Sequence, residues 1–144
     1  MSIPTRAEIE SLFERRQRAW EARDANALGA THAADGVVNS PMFGSLSGRE
    51  QITASYAKLF RTFPDWTFGD RPLVIDGDRV VQLFSATATH SADFMGVPAT
   101  GRHFSITGAR YYTITNGLVR TDERLYDFTG LLIQVGVLKG KPAI

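Results

Sequence analysis

Apolar residues recur at helical steps through the first third of the chain and at every second position thereafter. Thr5 with Glu8 three residues on forms a capping box, a signal that a helix begins there. From it, Ile9, Leu12, Phe13, Arg16, Ala19 and Trp20 fall on one face at steps of three and four. Arg16 interrupts that stripe, so this helix is expected to meet the surface at mid-length. Asp24 to Ala33 reads as a second, shorter helix capped by Asp24 or Asn26. Ser47-Gly48-Arg49-Glu50 repeats the capping-box spacing and opens a third helix. Its face is Ile52, Tyr56, Leu59, Phe60 and Phe63, and Pro64 ends it.

Beyond Pro64 the pattern predicts strands. Trp66 to Ile75 is one, interrupted at Gly69 to Pro72; Arg79 to Ser91 is a second, after an Asp76-Gly77-Asp78 turn. His103 to Thr115 and Leu118 to Asp127 flank Asn116-Gly117, whose residues suit the positive φ angles of a type I′ hairpin. Counted from a two-residue turn, Arg110 pairs with Glu123 and Ile106 with Asp127. Phe104, Ile106, Gly108, Arg110, Tyr112, Ile114, Val119, Thr121, Glu123, Leu125 and Asp127 then share the more apolar face, expected to point inward. Charges on such a face are costly unless paired or wet, which suggests a solvated pocket. Helices followed by a long antiparallel sheet define an α+β domain, with three helices on one face of a curved sheet. No repeat, linker or low-complexity tract divides residues 1–144, so one domain is expected.

Composition narrows the chemistry. The 144 residues carry a net charge of +1, which gives no reason to expect nucleic acid or an anionic membrane as partner. With no cysteine, disulfides, thiolate nucleophiles and zinc–thiolate sites are excluded. Three scattered histidines do not suggest a metal site, and His32 and His103 read as surface or helix-end residues. Neither a leader at Met1 to Arg6 nor a membrane-length apolar run is evident, so a cytoplasmic location is expected. The Gly96 to Gly101 loop lacks the lysine of a phosphate-binding loop and reads as a pocket closure or a subunit contact.

Several short stretches, in this order and spacing, resemble the SnoaL-like polyketide cyclases of the nuclear transport factor two and ketosteroid isomerase superfamily. They are Ala19-Trp20-Glu21-Ala22-Arg23-Asp24, Phe63-Pro64-Asp65, Asp78-Arg79-Val80-Val81 and Thr89-His90. Phe94-Met95-Gly96-Val97-Pro98-Ala99-Thr100-Gly101-Arg102, Asn116-Gly117, Asp127 and Leu131-Leu132-Ile133-Gln134-Val135-Gly136 complete the set. The chain departs from the family pattern at Ala88, Ala92, Ala99, Thr121 and Glu123. The resemblance implies a cone-shaped α+β barrel, a homodimer or homotetramer, and an enzyme without metal or cofactor. It also implies ring closure by intramolecular aldol chemistry, with the aspartate matching Asp127 as general acid/base.

On this reading Asp127 is the first candidate catalytic residue, because burial raises a carboxyl pKa toward neutrality; its alternative role is to cap a short helix around Gly130 to Gln134. Arg110 and Glu123 are candidates for orienting Asp127 or binding a carbonyl, or form a structural ion pair. His90, ending the long strand, is a candidate hydrogen-bond donor. Trp20, Met42, Phe43, Tyr56, Phe60, Met95 and Tyr112 are candidate pocket walls, with packing as their plainer role, and Asn39 is a candidate polar contact. The expected function is acid/base chemistry on a small apolar or aromatic carbonyl compound, by cyclisation or isomerisation. A non-catalytic ligand-binding or assembly module and an epoxide or ester hydrolase are the alternatives.

Overall fold

The computed structural model describes residues 3–140, apart from the side chain of Asp70; Met1, Ser2 and 141–144 lie outside the described residues. Four helices and seven strands follow in the order α1 (Arg6–Ala22), α2 (Ala25–Ala30), β1 (His32–Ser40), β2 (Gly44–Ser47), α3 (Arg49–Thr62), β3 (Thr67–Asp70), β4 (Val74–Asp76), β5 (Arg79–Thr89), β6 (His103–Thr115), β7 (Leu118–Tyr126) and α4 (Phe128–Gln134). The strands form one sheet in the order β2-β1-β7-β6-β5-β3, with β4 also on β5. β1 runs parallel to β7; every other neighbouring pair is antiparallel. The sheet is curved and unclosed, and α1 to α3 cover its concave side. This is the α+β architecture expected.

The capping box at Thr5 and Glu8 starts α1 as predicted. α3 differs: Gly48 at φ 88° is its cap, without a side-chain bond, because Ser47 ends β2 and pairs with Val37. The interior divides into two apolar clusters. One, between the helices and the open half of the sheet, holds Trp20, Leu28, Ile52, Leu59, Phe63, Trp66, Phe68, Phe84 and Phe104. The smaller one joins Ile9, Leu12 and Phe13 of α1 to Val80, Tyr112, Ile114 and Val119.

Arg16 is not at the surface, contrary to the sequence reading: it is 2% exposed. It occupies its place on the apolar stripe because a layer of buried polar side chains receives it.

The hairpin corrects the predicted register. Asn116 and Gly117 take positive φ (53° and 72°), and Thr115 pairs with Leu118 as counted. Ile114 pairs with Val119, but Thr113 pairs with Thr121, so Arg120 is an extra residue. This β-bulge advances the rest of β7 by one position. Tyr112 therefore faces Asp122, Arg110 faces Arg124, and Gly108 faces Tyr126. Because side chains alternate, one residue of slip exchanges the faces. Asp122 and Arg124 enter the interior, while Glu123 and Leu125 leave it.

Candidate active site

Three inward rows cross the central strands: Val80–Tyr112–Asp122, Gln82–Arg110–Arg124, and Phe84–Gly108–Tyr126. Gly108 is required where it stands. A Cβ there would collide with the Leu125 carbonyl oxygen and lie 2.9 Å from both Phe84 Cε1 and Tyr126 Cβ.

The second row lies within a buried polar layer. Asp122, 1% exposed, accepts from Arg124 Nε at 3.1 Å and lies 3.8 Å from Arg110 Nη1. Arg124 Nη2 donates to the Tyr56 hydroxyl at 3.1 Å, and Arg16 Nη2 approaches the same oxygen at 3.4 Å. Arg16 Nη1 donates to Thr31 Oγ1 at 2.7 Å and to His32 Nε2 at 3.2 Å. A guanidinium only donates, so His32 Nε2 accepts and its proton sits on Nδ1. The Tyr56 hydroxyl, 3.0 Å from the same nitrogen, can then donate to it.

These contacts set the protonation states. Burial, reinforced by Arg16, lowers the His32 pKa to about 2, so the imidazole is neutral. Burial pushes the Asp122 carboxyl up, but Arg124, Arg110 and Arg16 together outweigh it and hold the group below the ordinary carboxylate range. Burial likewise raises the Tyr56 phenol, and Arg16 and Arg124 bring it net below its usual value. Tyr112 rises, through burial and then Asp122. Three arginines thus share one carboxylate in the interior.

Arg110, 3% exposed, stands at the open side of this layer. Its guanidinium carbon lies 5.2 Å from the Trp20 ring centroid and 5.0 Å from those of Phe68 and Phe84, a three-sided aromatic cage. Among the described residues its Nε and Nη1 have no hydrogen-bond partner, nor does Trp66 Nε1.

A cavity adjoins this point in two lobes. The deep lobe, about 20 Å³, is lined by Arg110, Arg124, Tyr126, Ser40, Trp66 and Phe84, with Met42, Phe43, Leu59 and Ile106. The outer lobe, about 100 Å³, shares Met42, Phe43 and Leu59 with it and adds Lys58, Thr62, Phe63, Asp93, Phe94 and Met95. The Tyr126 hydroxyl is bonded by Met42 N at 3.2 Å and lies 3.4 Å from Ser40 Oγ. A larger surface groove, about 540 Å³, lies between the start of α1 and the β6–β7 turn. It contains none of the unpartnered buried polar groups, so the smaller cavity is the candidate site.

Of the residues singled out in the sequence, Arg110 and Phe43 line the deep lobe, Met95 the outer one, and Trp20 stacks behind Arg110. Tyr56 belongs to the polar layer. Phe60 packs edge-on to Trp20, and Tyr112 packs against Phe13 and donates to Gln82 Oε1, so both are packing residues. His90 is buried with Nδ1 held by Thr100 and is not among the residues lining either lobe. The bulge separates Glu123 from Arg110: Glu123 is exposed and accepts from Asn39 Nδ2 at 2.9 Å on the outer face. Asp127 is exposed and caps α4, accepting from Gly130 N at 2.8 Å; it is not in an apolar pocket. His32, expected at the surface, is fully buried, whereas His103 is exposed. Asp122, Arg124, Tyr126 and Trp66 were missed. Arg16 carried the available signal, since an arginine on a buried stripe demands interior acceptors. Among the described residues no three His, Asp or Glu side chains gather as a metal site, and no helix is long and apolar enough to cross a membrane.

A curved, unclosed sheet backed by helices, with its cavity inside the curve, defines the cone-shaped α+β class. The sequence matches the SnoaL-like polyketide cyclase family over residues 10–135, and the chain belongs to that family. Solved structures agree in fold. AclR from Streptomyces galilaeus, a proposed hydroxylase, is 24% identical with a TM-score of 0.82, over 96% of this chain and 91% of its own. TsrD from Streptomyces laurentii is 25% identical with a TM-score of 0.82, over 94% and 99%. IdmH from Streptomyces antibioticus, a proposed polyketide cyclase, is 27% identical with a TM-score of 0.75, over 88% and 97%. No curated sequence matches the chain.

Proposed function

We propose that the chain is an acid/base enzyme acting on a small carbonyl compound, by ring closure or isomerisation through an enolate. The observation that carries this reading is the polarity of the deep lobe. Two of its lining residues carry buried polar atoms without a partner, Arg110 Nε and Nη1 and Trp66 Nε1; all three are donors, and most of the other lining side chains are apolar. Such a pocket suits a carbonyl oxygen on which negative charge grows, because fixed donors in an apolar setting stabilise that charge without reorganising.

In the proposed step a proton leaves the carbon next to the carbonyl. The electron pair of the broken C–H bond forms the enolate, and its charge comes to rest on the oxygen facing Arg110 and Arg124. Tyr126 is the one titratable side chain besides these arginines lining the deep lobe; acting as its phenolate, it takes the proton from carbon and becomes the phenol, which can later return that proton. Asp122 is a positioning residue that holds Arg124 and Arg110 in place. The general acid/base role implied for Asp127 by family resemblance finds no support in its exposed, capping position. The reading is supported by family membership and, at 27% identity, by the description of IdmH as a proposed polyketide cyclase.

The test is exchange of α-protons in D2O, followed by NMR for a panel of aryl and alicyclic ketones. The expected result is catalysed exchange for at least one, slowed about a hundredfold by Arg110→Met. Exchange no faster than buffer across the panel, with ligands still bound, would replace this reading with the ligand-binding module.

A further inference from the structure

The interior holds more positive charge than the protein itself balances. Arg16, Arg110 and Arg124 face one carboxylate, Asp122, and His32 beside them is neutral. Asp122 spends its short contacts on Arg124, at 3.1 Å, and reaches Arg110 only at 3.8 Å. Tyr56 touches Arg16, His32 and Arg124, and makes no hydrogen bond to Arg110. Arg110 is therefore the arginine of this layer that is poorest in hydrogen bonds, with Nε and Nη1 unpartnered, and together with Arg124 it lines the deep lobe. A buried guanidinium in that state is costly, and a neutral carbonyl would relieve its hydrogen-bonding need but not its charge.

Resting on the functional reading above, we propose that this site takes its substrate as a preformed organic anion: a small ring carbonyl compound whose ionised oxygen, carboxylate or acidic enol, seats on Arg110, while the reacting carbonyl oxygen beside it turns to Arg124. The lobes match such a molecule. The deep lobe, about 20 Å³, has room for little more than one water-sized group, as a charged oxygen head requires. The outer lobe, about 100 Å³ between Met42, Phe43, Leu59, Phe63 and Phe94, accepts an apolar ring. The aromatic cage of Trp20, Phe68 and Phe84 disfavours inorganic phosphate or sulfate, which would have to shed its water with no apolar surface in return.

Calorimetry on the intact chain near neutral pH tests this with two matched pairs: benzoate against benzamide for the carboxylate, and cyclohexane-1,3-dione, ionised at that pH, against cyclohexanone for the enol. At least one anion is expected to bind about tenfold or more tighter than its neutral partner, as charge-assisted hydrogen bonds require. Which pair shows the preference identifies the head group. Arg110→Met should abolish the preference, whereas Arg18→Gln, at an exposed arginine that lines neither lobe, should leave it intact. Methionine preserves much of the buried volume, and near-ultraviolet circular dichroism checks its fold. In the wild type, the Arg110 Nε–H resonance should shift on anion binding, a readout that needs no variant. Equal binding within both pairs, or a preference surviving Arg110→Met, overturns the anion assignment and leaves the carbonyl enzyme standing. Binding of none of the four overturns both.

Discussion

β7 has two segments of opposite legibility. From Leu118 to Val119 the strand pairs as a two-residue turn dictates; from Thr121 onward it is one position ahead, because Arg120 bulges out. In the first segment sequence alternation and structure agree. In the second, an inward set of Thr121, Glu123 and Leu125 is replaced by Asp122, Arg124 and Tyr126. A single inserted residue decides which carboxylate the interior receives, and therefore which residues can meet a substrate.

Deletions that begin at Arg120 attack that difference directly. The single deletion lets Thr121 follow Val119, so Thr113 still faces Thr121, and Asp122 and Arg124 stay inward without a bulge; urea unfolding should find it within about 1–2 kcal/mol of wild type. Deleting Arg120 and Thr121 together instead places Asp122 opposite Thr113, turns Asp122 and Arg124 to the outer face and leaves Arg16 and Arg110 without a buried carboxylate. The expected outcome is loss of more than about 4 kcal/mol of stability, or failure to fold. A double deletion no less stable than the single one would mean that the register does not decide which carboxylate is interior.

Next in size is the contrast between two aspartates. Asp122→Ala strands three buried arginines and should cost about 3–5 kcal/mol. Asp127→Ala removes only a helix cap and should cost about 1 kcal/mol. Equal losses in urea unfolding would break the distinction between an interior and a capping aspartate.

The smallest effect concerns pH. His32 has a folded pKa of about 2 against an ordinary 6.5. The unfolded chain therefore binds a proton below pH 6.5 that the folded chain refuses. Stability from this group is complete above pH 6.5 and falls by up to about 1.4 kcal/mol per pH unit below it. His32→Gln should flatten that slope in unfolding curves taken just below pH 6.5; an unchanged slope would assign it to other groups.

Much of the fold was legible because its signals are local. The Thr5–Glu8 box, the 3.6-residue stripes, Pro64 and Asn116-Gly117 each act within a few residues. The parallel pairing of β1 with β7 was not legible, since it joins Val38 to Asp122 across the chain. Arg110 was found as a charge on an apolar face. Asp122 and Arg124 were not, because a bulge leaves no mark when the extra residue is an ordinary arginine rather than a glycine or proline. The tension was visible elsewhere: Arg16 on a helical core stripe had no acceptor until the register changed.

The central claim, that the bulge makes Asp122 the interior carboxylate of the arginine layer, is tested most directly by carbon NMR of the aspartate side-chain carboxyls during acid titration. The Asp122 resonance should stay at its ionised position as pH falls through 3.8, the ordinary value for the group, and move only at lower pH. An Asp122 carboxyl that titrates at or above that value would contradict the account.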